Sequence, residues 1–289
     1  MFELSQYTFV AAFVAVAVGL ALYLVNLFGP RGIRALTFST GSTGEVDAGF
    51  APVAEAAGRY GTILAVNALG FLTASIVARW IAAGHGPFSN MYEFSLAFSW
   101  AAMTIYLYFE SQYRSRSLAV IVLPVVLAMF YYATTVPDDI EPLVPALQHE
   151  LLLTVHVVTA TGAYAAFAVA FGAAILFLIQ RKQSMSWLPD RTTLDELGHR
   201  SVMVGFPLMA LTIILGAVWA DIAWGRYWSW DPKETASLVT WLVYGGYLHA
   251  RVIRGWRGER SAYLLLLGFA ATGFTYFGNY FFGGLHSYG

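Results

Sequence analysis

Eight apolar stretches, each near the twenty residues a helix needs to cross a hydrocarbon core about 30 Å thick, constrain this chain more than any other feature. They fall near residues 8–28, 60–82, 94–110, 117–134, 151–180, 202–222, 235–254 and 262–283. No strand-period alternation competes with them, and no internal repeat interrupts them. A composition of 58% hydrophobic and only 11% charged residues places the chain outside the soluble globular range. The expectation is an all-α polytopic membrane protein of eight transmembrane helices, forming one integral domain over residues 1–289. Its first stretch, "MFELSQYTFVAAF", has no basic n-region and no small-residue cleavage site, so it reads as a retained helix.

The chain has no cysteine, which excludes disulfides, thiolate metal sites and thiol redox chemistry within it. Its net charge of −1 and lack of basic runs give no support to nucleic-acid binding. The basic residues are instead sorted by loop. Thirteen fall in the odd loops, whereas only Arg79, Arg226 and Lys233 lie at the even ones. The fourth loop, "TTVPDDIEPLVPALQHE", has acids and no basic residue. By the positive-inside rule, both termini and the even loops are expected outside.

The first loop is rich in Gly, Ser and Ala, with a short interfacial helix expected around 50–58 and no phosphate cradle or catalytic set. In the fifth loop Thr193 and Glu196 have the spacing of a helix cap. The sixth loop carries "WGRYWSWDPKE", three tryptophans and a tyrosine among four charged residues. Its end reads as a helix start, with Asp231 as N-cap, Pro232 at N1 and Glu234 at N3; Asn90 and Glu93 repeat that grammar. An aromatic belt accounts for Trp80, Trp100, Trp241 and Trp219, one or two per helix end. It does not account for Trp224, Tyr227, Trp228 and Trp230 crowded into seven positions.

Histidines within membrane helices are candidates for function. His156 comes about one turn above the outer hydrocarbon edge expected near Thr161, and His286 lies past the outer end of the last helix. Both therefore share a level with the tryptophan loop. His249 lies about 22 Å further in, fifteen residues beyond Glu234 and two before Arg251. His85 stands at the outer end of the second helix, which argues against its joining His249, although a bent second helix would lower it. His149 and His199 read as solvated loop residues. Two imidazoles and an indole-rich loop are what a flat, metal-centred macrocycle with an anionic edge requires, so the outward face is read as a haem site. Arg226 and Lys233, cations on the side that topology disfavours, are candidates to hold haem propionates.

The run "WGRYWSWDPKETASLVTWLVYGGYLHAR" resembles the WWD signature of haem-handling proteins. Together with "GHGPFSNMYEF", "LLLTVHVVTATGAYAAF", "LDELGHR" and "GLHSYG", it resembles the CcsA (ResC) family of the System II cytochrome c synthase, called CcsB in some bacterial naming. That resemblance implies haem b held by His156 and His286 outside and by His249 within the membrane. Trp224, Gly225, Tyr227, Trp228, Trp230, Asp231, Lys233 and Glu234 would form the WWD loop between helices 6 and 7, in a haem-handling region of about 150–289. It further implies movement of haem to the outer face of a bacterial inner or thylakoid membrane and its presentation to CxxCH apocytochrome c, with a CcsB/ResB-type partner subunit. The inner iron's second ligand is then expected from that partner. The family's usual "LDELSYR" reads "LDELGHR" here, which sets His199 apart. A System I-type WWD haem-delivery protein would share the loop, and a di-haem quinol oxidoreductase would need a second inner histidine.

Overall fold

A computed structural model of the protein describes residues 1–29, 50–140, 150–180, 185 and 187–277. Among them are eight helices and no strand: α1 Phe2–Phe28, α2 Phe50–Ala83, α3 Met91–Tyr113, α4 Ala119–Ala133, α5 Glu150–Ile179, α6 Arg191–Trp224, α7 Pro232–Ile253 and α8 Glu259–Phe277. Four of them, α1, α2, α5 and α6, are long and apolar enough to cross a membrane. The protein is an all-helical membrane protein. Helix α4 is apolar but has only 15 residues, about 22 Å of rise, and it carries Pro124. The short helix expected at 50–58 is continuous with α2, where Glu55 and Arg59 pair one turn apart.

Helix α5 is the axis of the bundle. In its most apolar window 72% of residues are buried, against 33% or less in α1, α2 and α6. It packs against α6, α3 and α8, while α1 lies along α2. Its sequence explains this: Ala163, Ala165, Ala166, Ala170 and Ala173 are all fully buried. Small residues let helices approach closely, the main source of association between helices in lipid. A fully buried large side chain in that run, Phe167, stacks on Tyr244 of α7 with ring centroids 3.6 Å apart and planes 10° apart. Each ring rests on a glycine. A Cβ at Gly205 of α6 would lie 2.6 Å from Phe167, and one at Gly268 of α8 would lie 2.6 Å from Tyr244. Four helices meet at this stack.

Polar clamps hold the two ends of α3. Near its start Glu93 accepts from Arg79 Nε of α2 at 2.6 Å, with both side chains 1% exposed. Arg79 Nη2 also donates to the carbonyl oxygens of Asp138 and Asp139, and its guanidinium lies 4.7 Å from the Tyr92 ring. The charge of Arg79 is therefore neutralised within the chain. Seventeen residues later, about 25 Å along the helix, Glu110 accepts from Tyr23, Tyr106 and Thr62 and faces Arg116 at 3.6 Å.

Helix α6 differs from its expected form. Its N-cap is Asp190, whose carboxylate accepts from Thr193 N at 2.6 Å; Thr193 is already inside the helix. A carboxylate at the cap offsets the helix dipole better than a hydroxyl one turn later. Residues 191–201 therefore lengthen α6 to 34 residues, with Pro207 near its midpoint.

Gly268→Ala is expected to destabilise the protein by about 1–3 kcal/mol, because Tyr244 has no space to move away from the new methyl group. Gly246→Ala, which meets nothing within 4 Å, should be neutral or stabilising. Thermal midpoints of the two purified variants in detergent check the contrast. Arg79→Met should cost about 3–5 kcal/mol by leaving Glu93 buried and unpaired, and the double change Arg79→Met with Glu93→Met should recover much of that loss. Equal midpoints for the single and double variants would contradict the clamp.

Candidate functional site

One end of the bundle gathers most of the residues singled out in the sequence. Six residues into α5, His156 faces α6, where its Nδ1 lies 3.0 Å from the Thr212 carbonyl oxygen. The ring passes over Gly216, where an added Cβ would lie 2.9 Å from His156 Cε1. It stacks on Trp219, with centroids 6.4 Å apart and planes inclined 24°. Thr212, Gly216 and Trp219 are spaced i, i+4, i+7 and so line one face of α6. An imidazole donating from Nδ1 to a backbone carbonyl carries its lone pair on Nε2, the arrangement by which metal-ligating histidines are oriented.

Trp219, expected in an aromatic belt, is only 3% exposed and packs with Leu153 and Val157 beneath Phe88 and Trp224. Trp241 likewise departs from the belt, stacking on Phe206 at 5.0 Å. Trp80 and Trp100 remain exposed. Trp224 leans edge-on against Trp219 at 4.9 Å, which extends an aromatic ladder from His156 to the loop.

The loop that follows is stiffened from both sides. Gly225 closes α6 in the left-handed region, with φ 71°. Asp221 accepts the Tyr227 hydroxyl and thereby raises its pKa above the ordinary phenol value. On the far side Asp231 caps α7 and accepts from Lys233 N at 2.9 Å. Glu234 completes the capping box by accepting from Asp231 N, and it also accepts from Ser229 N at 2.8 Å. The expected cap is thus observed, and Glu234 does more than cap: it folds the loop back over α7. Trp230 takes a left-handed φ of 59° and is 69% exposed, beside an equally open Tyr227. Trp228 meets Trp230 edge-on at 5.7 Å, and its buried Nε1 has no hydrogen-bond partner. Arg226 and Lys233 form no ion pair among the described residues.

His85 is buried at this same end. Gly86 abuts Thr154, two residues before His156, and Phe88 joins the cluster around Trp219. His85 Nδ1 lies 3.0 Å from the Gly86 carbonyl, and its buried Nε2 has no hydrogen-bond partner. His249 is at the opposite end, eighteen residues beyond Asp231, about 27 Å along α7. It is exposed, whereas Tyr247 and Arg251 turn inward. Arg251 pairs with Asp195 of α6 at 2.8 Å. His199, expected in a loop, lies on α6, with its ring 6.2 Å from that of Tyr247 and its Nδ1 buried without a partner. It therefore packs against the inward face of α7 and does not meet His249. His149 and His286 lie outside the described residues.

Among the described residues no three His, Asp or Glu side chains converge as a metal site. The donor set at the His156 end instead suits a planar metal complex ligated by one imidazole from this helix. Sequence reasoning selected His156 and the loop but missed the Thr212, Gly216 and Trp219 face. Its signal was the helical spacing of a small residue and an indole opposite the histidine.

Residues 88–286 match the model of a family described as cytochrome c assembly protein. Cytochrome c biogenesis protein CcsA of Guillardia theta is 39% identical, covering 75% of this chain and 81% of the relative. CcsA of Trichormus variabilis is 34% identical, covering 78% and 89%. The solved structure of cytochrome c heme lyase CcmF superposes with a TM-score of 0.65 at 19% identity, over 96% of this chain and 46% of that one. That likeness concerns the fold, and the chain spans less than half of the CcmF length. With eight helices among the described residues, a half-buried histidine beside an indole ladder and relatives matching over most of its length, the chain belongs to the CcsA family of cytochrome c biogenesis proteins.

Proposed function

We propose that this chain binds haem b, conveys it from the inner to the outer membrane face, and presents it for attachment to the CxxCH thiols of apocytochrome c. The observation that carries this reading is the setting of His156, oriented by the Thr212 carbonyl, seated over Gly216 and backed by Trp219. When bound, haem supplies the vinyl groups to which the cytochrome thiols add. The chain's own work is to hold and orient. His156 and His286 would hold the haem iron at the outer face, and His249 at the inner one. The inner iron's remaining position falls to a CcsB/ResB-type partner subunit, which the exposure of His249 supports. Tyr227 and Trp230 offer open aromatic surface, while Trp228 stands behind them. Arg226 and Lys233 face the propionates. On this reading both termini and the loop face the periplasm, exterior or lumen, and all eight helices span.

His156→Ala is expected to abolish the outer low-spin haem spectrum while leaving haem associated with the inner level, and His249→Ala to deplete both. Gly216→Val should reproduce the His156→Ala spectrum although every ligand remains, because the added side chain displaces the imidazole. Pyridine haemochrome content and absorption spectra of the complex purified with its partner decide the matter; equal haem content in all forms would contradict the reading.

The double change Arg226→Gln with Lys233→Gln should lower outer haem occupancy without altering the bis-histidine spectrum. Charge-assisted hydrogen bonds to propionates contribute about 1.5–3 kcal/mol each when shielded from water. Haem occupancy measured together with protein level is the check, and normal occupancy would remove both residues from propionate binding.

A further inference from the structure

The turn between α7 and α8 lies at the end of the bundle remote from the tryptophan loop, and it is held firmly. Gly255 and Gly258 adopt φ of 63° and 71°, which reverse the chain within a few residues. Trp256 N donates to the Ala250 carbonyl, and Gly258 N donates to Asp195, the partner of Arg251. Ser261 closes the turn by donating to the Trp256 carbonyl.

Around this turn Arg254, Arg257 and Arg260 line an open hollow of about 520 Å³ with Trp256 and Glu259. Glu259 is directed to Arg191, 3.5 Å away. None of the three arginines forms an ion pair among the described residues, and Arg260 lies 5.6 Å from the Trp256 ring. The first turn of α8 opens into the same hollow and adds the positive end of its dipole. Three like charges on one rigid turn repel each other, and an anion relieves that repulsion. Guanidinium groups match carboxylates in a planar, bidentate fashion. The hollow also lies close to His249. Arg254 follows it by five residues, about 7.5 Å along α7, and the exposed face that carries His249 continues through Val252 and Ile253.

We propose that Arg254, Arg257 and Arg260 form a carboxylate-recognition site that holds the propionates of haem taken up at His249. This inference rests on the haem-handling reading and adds to it the orientation of the inner ligand, propionates toward the basic turn and macrocycle along the His249, Val252 and Ile253 face. The basic turn is thus the point of first capture.

The test uses the full chain carrying His156→Ala and His286→Ala, so that haemin titrations read the inner level alone. Adding Arg254→Gln, Arg257→Gln and Arg260→Gln should weaken haemin binding about tenfold or more. Absorption maxima should stay unchanged, since His249 is untouched. Haemin dimethyl ester, which lacks the carboxylates, should bind the parent about as weakly as haemin binds the triple variant. A triple lysine version, which keeps the charge and the topology signal, should recover part of the affinity. If the parent binds haemin and its ester alike, and the glutamine variant binds both as the parent does, the propionate site is overturned while the haem-handling reading stands. A parent that binds no haemin overturns that reading, and this inference with it. The same titrations in nanodiscs with and without phosphatidylglycerol identify a lipid occupant: a variant that loses bound phosphatidylglycerol at unchanged haemin affinity would assign the hollow to a phosphate headgroup and overturn the proposal.

Discussion

Lipid is as apolar as leucine, so helices within a bilayer gain little from hiding hydrocarbon and must associate by fitting closely. In this protein that fit is concentrated in α5, whose alanine-rich surface narrows the central helix. Its closest stacked aromatic pair among the described residues, Phe167 on Tyr244, is seated between Gly205 and Gly268. Everything else is positioned from that stack. It sets α6 against α5, which brings Thr212, Gly216 and Trp219 opposite His156. It also fixes the inward face of α7, so that Tyr247 and Arg251 turn toward α6 while His249 turns away.

Charge is handled differently at each level. Buried ion pairs contribute little net stability, yet leaving one member alone is severe, so such pairs specify arrangement more than they add strength. Arg79 with Glu93, and Glu110 with its ring of hydroxyls, fix α3 at both ends against α2 and α1. Arg251 with Asp195 does the same for α7 and α6. Among the described residues, the cations of the tryptophan loop and of the α7–α8 turn stand outside such pairs.

Much of this was legible in the sequence because hydropathy and capping act locally. The helices followed from apolar run length, four of them long and apolar enough to cross a membrane, and the Asp231 cap followed from a four-residue pattern. The Asp190 cap was missed because the polar first turns of α6 resemble a loop when only apolar residues are counted. Trp219 and Trp241 were assigned to a belt because tryptophan near a membrane boundary has that average behaviour; what overrode it was a partner ring from another helix, His156 in one case and stacking on Phe206 in the other. Gly216 carried no signal beyond its helical spacing from Trp219, since its importance lies in the imidazole that crosses it. Distances across the bundle depend on register, and no short stretch of sequence encodes register alone.

The length of α6 has a mechanical consequence. This single rod touches His156 with its second half and Arg251 with its first turns. An unbroken helix would transmit any tilt imposed at one end directly to the other. Pro207, lacking an N–H to donate to Met203, removes one rung of the hydrogen-bond ladder between the two contacts. Bending stiffness is lowest there, so strain imposed at one end is absorbed at mid-helix before it reaches the other, and each end can relax while the other keeps its alignment.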